Sequence, residues 1–250
     1  MRSHQKSEKM RNRYGGLTTP EGKWNSQIRL LEENLDLPLK VKKPALWSVW
    51  NDLFHPDVSD GFITLASQIM WQCKQHFFLI LTKRPERMVE YYRKFPYSGF
   101  PNVPNLGFGT TVELPKYRHR IKTLLQVPAA MHFVSLEPLL GEISLCELCK
   151  RQIPQTDARN SKRFRYHPEF GGYGHDCTMN DIDWVILGCE SGPRRRPMEA
   201  RWAELVIREC KEAKVPVFFK QVEHGGKVVH APTTLTGQIL QFPNTEGAEK

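Results

Sequence analysis

Asp52, Lys83, Arg84, Glu113, Glu137, Glu190, Ser191 and Lys220 share one feature: each stands just after a short apolar run. The runs are Leu46 to Trp50, Phe77 to Leu81, Asn105 to Phe108, His132 to Ser135, Trp184 to Leu187 and Val215 to Phe219. The residues that follow are Asn51-Asp52, Thr82-Lys83-Arg84, Thr110-Thr111 with Glu113, Glu137, Glu190-Ser191 and Lys220-Gln221. Every run thus ends in a group that can bind or titrate. Glu137 precedes Pro138, which holds its backbone extended. An acid fixed in that way suits a general base or a cation-binding group. Lys83-Arg84 precedes Pro85 at a helix start, where the two cations can hold a carboxylate or phosphate or form a solvated pair. Glu190 lies in Gly188-Cys189-Glu190-Ser191-Gly192, whose glycines allow close approach of a ligand or only a tight turn. Cys189 beside it reads as a reactive thiol or a small buried one. Glu137 and Lys83 are the candidate catalytic pair. Asp52, Arg84, Glu190, Ser191 and Lys220 are candidates for holding a cofactor.

A second group has metal-ligand types. Cys146-x-x-Cys149 is followed by His167, His175 and Cys177. A Cys-x-x-Cys knuckle supplies half of a tetrahedral zinc site. His175 and Cys177, two residues apart, face one way on an extended strand and can supply the other half. Cys146, Cys149, His175 and Cys177 are the candidate ligands of a structural zinc. An iron–sulfur cluster and unliganded thiols remain as alternatives. Arg159, Lys162, Arg163 and Arg165, with Phe164 and Tyr166 interleaved, read as a contact to a nucleic-acid backbone or as a solvated loop.

The elements that must position these residues follow from the rhythm of the chain. The apolar runs have the length of buried strands, and most are apolar on both faces, as strands of a parallel sheet are. Helices are expected between them, over Ser59 to Gln75, Pro85 to Lys94, Leu114 to Gln126 and Glu199 to Ala213. This alternation predicts an α/β fold on a partial parallel (β/α) barrel. In such folds ligands bind at the carboxyl ends of the strands, where the residues above fall. Residues 1–43 read as a lead-in, 44–250 as the barrel, and 142–181 as a cysteine-containing insertion.

Composition narrows the class. Of 250 residues, 40% are hydrophobic, enough for a core. The longest apolar runs are far too short to cross a bilayer, and residues 1–13 lack the apolar stretch of a secretory signal. Six cysteines are too sparse for a disulfide scaffold. A cytoplasmic location is expected. The formal net charge of +9 points to an anionic partner, nucleic acid or nucleotide, or to a basic soluble surface.

Five segments occur in a telling order: Asp52-Leu53-Phe54-His55, Leu81-Thr82-Lys83-Arg84-Pro85-Glu86-Arg87-Met88, Ser135-Leu136-Glu137-Pro138-Leu139-Leu140-Gly141, Asp183-Trp184-Val185-Ile186-Leu187-Gly188 with Glu190-Ser191-Gly192, and Phe218-Phe219-Lys220-Gln221. Together they resemble the phage-associated, radical-SAM-like family with an N-terminal three-cysteine motif, many of whose members are known only as a domain of unknown function. The resemblance runs from about Arg11 to Phe242. It implies a partial α/β barrel, a [4Fe–4S] cluster and S-adenosylmethionine. The chain departs from the family in one respect: no cysteine precedes Cys73, whereas the family carries its three upstream. Such a cluster takes three thiolates and leaves one iron for the cofactor. The resemblance therefore implies a truncated or degenerate member, or one completed by an upstream cysteine-bearing fragment. Two functions stay open: an enzyme or enzyme fragment acting on a nucleotide or nucleic acid, and a non-catalytic nucleic-acid- or zinc-binding protein on the same barrel.

Overall fold

A computed structural model describes residues 15–17, 19, 24–49, 51–95, 104–145, 164–167, 172–175, 178–192, 194–224 and 227–230. Six parallel strands form the body of one sheet: β1 (Leu46–Val49), β2 (Phe77–Thr82), β3 (Leu106–Thr111), β4 (Met131–Leu136), β7 (Trp184–Gly188) and β8 (Val217–His224), side by side in that order. A seventh strand, β9 (Lys227–His230), runs antiparallel to β8. The sheet curls into a half-barrel. A separate antiparallel hairpin, β5 (Phe164–His167) and β6 (Gly172–His175), lies within the interval read as an insertion.

A short α1 (Leu37–Lys40) precedes β1, and helices then follow strands as the pattern requires: α2 (Asp60–Gln72), α3 (Pro85–Lys94), α4 (His119–Leu124) and α5 (Ala200–Ala213). α2 starts at Ser59, whose hydroxyl accepts from the Phe62 N–H at 3.2 Å. α3 starts on Pro85, carries Glu86 in its first turn and ends in Arg93-Lys94, matching the helix dipole at both ends. α5 closes with Lys214 in the left-handed region (φ 58°), and the Val215 N–H returns to the Cys210 carbonyl at 2.8 Å. The expected helix over 114–126 is two pieces, a 3-10 turn at Pro115–Tyr117 and then α4.

The period of two along each strand sorts side chains onto two faces. Phe78, Ile80 and Phe108 pack into one cluster with α2 and α3. Val134, Leu136, Val185, Leu187 and Phe219 pack into another with α4 and α5. These line the helix-covered face. The opposite face carries Phe77, Leu79, Leu81, Met131, Phe133, Trp184, Ile186 and Phe218. Between them stand Gly107 and Gly109, so Phe133 can lie flat over β3. Ile143, Leu145 and Met179, inside the interval 142–181, are fully buried in the second helix-covered cluster. Glu209 on α5 fixes that stretch by accepting from Ser144 Oγ and the Leu145 N–H, both at 2.6 Å.

Candidate functional site

Strand direction and side-chain parity together place the strand-end residues. All strands from β1 to β8 in the main sheet run parallel, so their carboxyl ends share one edge. Counting by two from Leu81, Phe133 and Ile186 leads to Lys83, Glu137 and Glu190. The candidate charges thus continue the face that, among the described residues, no helix covers. Glu113 follows β3 in the same phase, since Val112 packs on the helix side.

The charges are paired along this edge. Asp52 is held by four donors: Thr82 Oγ1 (2.5 Å) and the Phe54 N–H (3.2 Å) on one oxygen, the Lys83 N–H (3.2 Å) and Arg84 Nη1 (2.5 Å) on the other. Its carboxylate ties the end of β1 to the turn after β2 and has little capacity left for a ligand. Arg84 is engaged by the same pair. Lys83 Nζ donates to Glu113, whose second oxygen takes Arg120 Nη1 at 3.1 Å. Glu113 is buried, while the Lys83 side chain is 52% exposed. Glu190 takes three bonds from Arg196, from its backbone N–H at 2.7 Å and from Nε and Nη2 at 2.8 Å each. These bonds hold the Glu190 carboxyl down at about 2. Ser191 is exposed beside it.

Glu137 has the most unusual setting. Lys220 Nζ on β8 reaches it at 3.2 Å, across the intervening strand β7. The crossing point is Gly188. A Cβ there would lie 2.8 Å from Glu137 Oε1 and 3.4 Å from Gln221 Cγ. The missing side chain is therefore the slot through which acid and lysine meet. The β7–β8 register also steps at this point, Leu187 pairing with Phe219 but Gly188 with Gln221, which leaves Lys220 out of the ladder. Burial raises the Glu137 carboxyl above its ordinary value, and Lys220 pulls in the other direction. A desolvated acid with one cationic partner can accept or return a proton, or bind an ammonium.

Sequence reasoning placed Glu113 at a strand end but gave it no role, and it passed over Arg120, Arg195 and Arg196. Arg195 Nε donates to Glu223 at 2.9 Å and its Nη1 to the Gly192 carbonyl at 3.2 Å. The signal available was the run Arg194-Arg195-Arg196 itself, directly after the Glu190 loop. Cys189 is buried, and burial raises its thiol, so it lacks the thiolate character of a nucleophile.

Of the candidate metal ligands, Cys146, Cys149 and Cys177 lie outside the described residues, and His175 is placed only as the last residue of β6. Among the described residues no group of three His, Cys, Asp or Glu side chains is arranged to hold a metal ion. Cys73, Cys189 and Cys210 are buried, form no disulfide with one another and lie apart in the chain, just after α2, just after β7 and within α5. Among the described residues no helix is long and apolar enough to cross a membrane.

A family model described as "Protein of unknown function (DUF5131)" matches residues 2–242. No curated protein and no solved structure matches the chain.

Proposed function

We propose, for a chain that belongs to the DUF5131 family, that the carboxyl edge of its half-barrel binds a small zwitterionic molecule. The candidate is S-adenosylmethionine, on a protein of the phage-associated radical-SAM-like kind. The observation that carries the reading is the interleaving of opposite charges along one edge. Lys83 with Glu113, Glu137 with Lys220 and Glu190 with Arg196 continue a face that below them is apolar. A ligand with both an ammonium and a carboxylate can insert into such pairs by exchanging one partner for another, so neither charge is left unpaired. S-adenosylmethionine has this layout: an α-carboxylate for a lysine, and an ammonium and a sulfonium for a carboxylate. Leu81 and Phe218, partly buried one step below Lys83 and Lys220, offer apolar surface to its adenosyl part. Glu137 is the group placed to move a proton at the bound ligand.

The [4Fe–4S] cluster does not fit the described residues. Three thiolates are needed at one point, and Cys73, Cys189 and Cys210 do not supply them. They would come from other residues or from a cysteine-bearing partner segment. Binding of S-adenosylmethionine by the charged pairs does not require the cluster.

The test is calorimetric titration with S-adenosylmethionine and with adenosine, which lacks the zwitterion. Wild-type protein should bind the first. Glu137→Gln and Lys220→Met should each weaken it by about 10-fold or more, as expected for loss of a charge-assisted hydrogen bond. Adenosine should bind more weakly than S-adenosylmethionine and lose little further in either variant. No binding by the wild type, or equal affinity in all three proteins, would refute the reading.

A further inference from the structure

We infer that the segment Arg194 to Pro197 forms a phosphate-binding arm at this edge, so that the substrate presented to the site is a nucleotide, free or within a nucleic-acid strand. The inference deepens the proposed function and rests on its placing of the site. Three consecutive arginines, Arg194 to Arg196, stand between Pro193 and Pro197 in sequence. They follow β7 directly and precede α5, at the carboxyl edge.

Two of the three are held in place, one to β8 and one to the start of its own loop. Arg196 is gripped by Glu190 through its backbone and side chain, and Arg195 by Glu223 and the Gly192 carbonyl. Glu190 and Glu223 thus act as clamps for the loop. The Arg194 side chain is exposed and, among the described residues, makes no hydrogen bond or ion pair. At Gly192 the backbone is in the left-handed region (φ 102°), and a Cβ there would meet nothing within 4 Å. Among the described residues, nothing crowds the chain at Gly192. A guanidinium with its whole fork of donors uncommitted, on a loop fixed by its neighbours, meets a phosphate with little ordering cost.

The surrounding charge supports an anion. Among the described residues of the edge, Lys83, Arg84, Arg120, Arg195, Arg196 and Lys220 pair with Asp52, Glu113, Glu137, Glu190 and Glu223, and Arg194 adds a further exposed cation. The cations outnumber the carboxylates. Glu113 also adds its field at Arg196, so the Lys83–Glu113 group and the arginine loop act on one another electrostatically. The chain as a whole carries +9.

Fluorescence anisotropy with a short labelled single-stranded oligonucleotide, with ATP as competitor, tests the assignment. Arg194→Glu should weaken oligonucleotide binding about 10-fold and lower the slope of log affinity against log salt by about one. Lys74→Glu is the control for bulk charge. It removes another exposed cation, just before the amino end of β2 and away from the loop. It should leave affinity within about twofold, as expected for a distant screened charge. Displacement of the oligonucleotide by ATP identifies a free nucleotide as the source of the phosphate, and its absence identifies the strand. Either outcome sustains the arm. Equal losses in Arg194→Glu and Lys74→Glu, no loss in Arg194→Glu, or no binding of either probe by the wild type would overturn it. Arg194→Glu should bind S-adenosylmethionine as the wild type does, so the two readings can fail separately.

Discussion

Gly109→Ala is expected to destabilise the fold by about 3 kcal/mol, the upper range for forcing a methyl group into a packed core. A Cβ at this position would lie 2.3 Å from two ring carbons of Phe133 and 2.6 Å from a third. Phe133 is fully buried, and its ring stands 6.1 Å from that of Trp184, centroid to centroid. Neither a rigid ring nor the strand beneath it can move aside without disturbing the sheet. Gly107→Ala should cost clearly less. Its nearest obstacle, at 2.7 Å, is the terminal methyl of Met131, which can rotate away. Urea denaturation of the two variants compares them directly. Equal midpoints would show that the ring over β3 is not what requires glycine there.

Asn105→Asp should be the more damaging of two substitutions at its site, and its penalty should depend on pH. Asn105 is buried just before β3. Its Nδ2 donates to the carbonyls of Met70, Cys73 and His76 at 3.2, 3.1 and 3.0 Å. These are the last turn of α2 and the lead into β2, so one amide ties helix end to strand start. Asn105→Ala removes the donor and costs about 2 kcal/mol for the buried carbonyls it leaves short. Asn105→Asp sets a carboxylate against three carbonyl oxygens. Its pKa in the folded state must rise above the unfolded value of about 3.9, so the penalty grows as pH climbs above that value. At neutral pH about 4 kcal/mol corresponds to a rise of three units. Below the unfolded pKa the acid is protonated in both states, and Asp should then be no worse than Ala. A penalty for Asp that stays constant from pH 3 to pH 7 would contradict this account.

The strands that were legible in sequence were those buried by large apolar residues on both faces. β2 and β7 read clearly because Phe77 to Leu81 and Trp184 to Leu187 contain no polar interruption. β3 was read too short, as Asn105 to Phe108, although it continues to Thr111. Gly109, Thr110 and Thr111 look like a turn, yet glycine is required there by a ring on the neighbouring strand. That is a tertiary demand with no local signature. β9 was missed despite a usable signal: Gly225-Gly226 between Gln221 to His224 and Lys227 to His230 is a hairpin pattern. The β5–β6 hairpin was missed as well, within a stretch too polar to show apolar alternation. At the site, position just after an apolar run was enough to put Lys83, Glu137 and Glu190 at strand ends; that they share one face follows from the strands' phase in the sheet. Partner choice was not readable. That Asp52 is saturated by four donors, and that Glu137 meets Lys220 through the gap at Gly188, depends on strand order and register.

The central claim, that the carboxyl edge of the half-barrel is where this chain binds its ligand, is tested most directly by hydrogen exchange with and without saturating S-adenosylmethionine. Backbone amides report opening of the segments that carry the charged pairs. Protection is predicted over 82–84, 111–113, 135–139, 188–196 and 218–223, with no change at the amino ends of the same strands. Protection confined to the amino ends or to the helix-covered face, or an unchanged exchange pattern at a concentration where calorimetry shows saturation, would contradict the account.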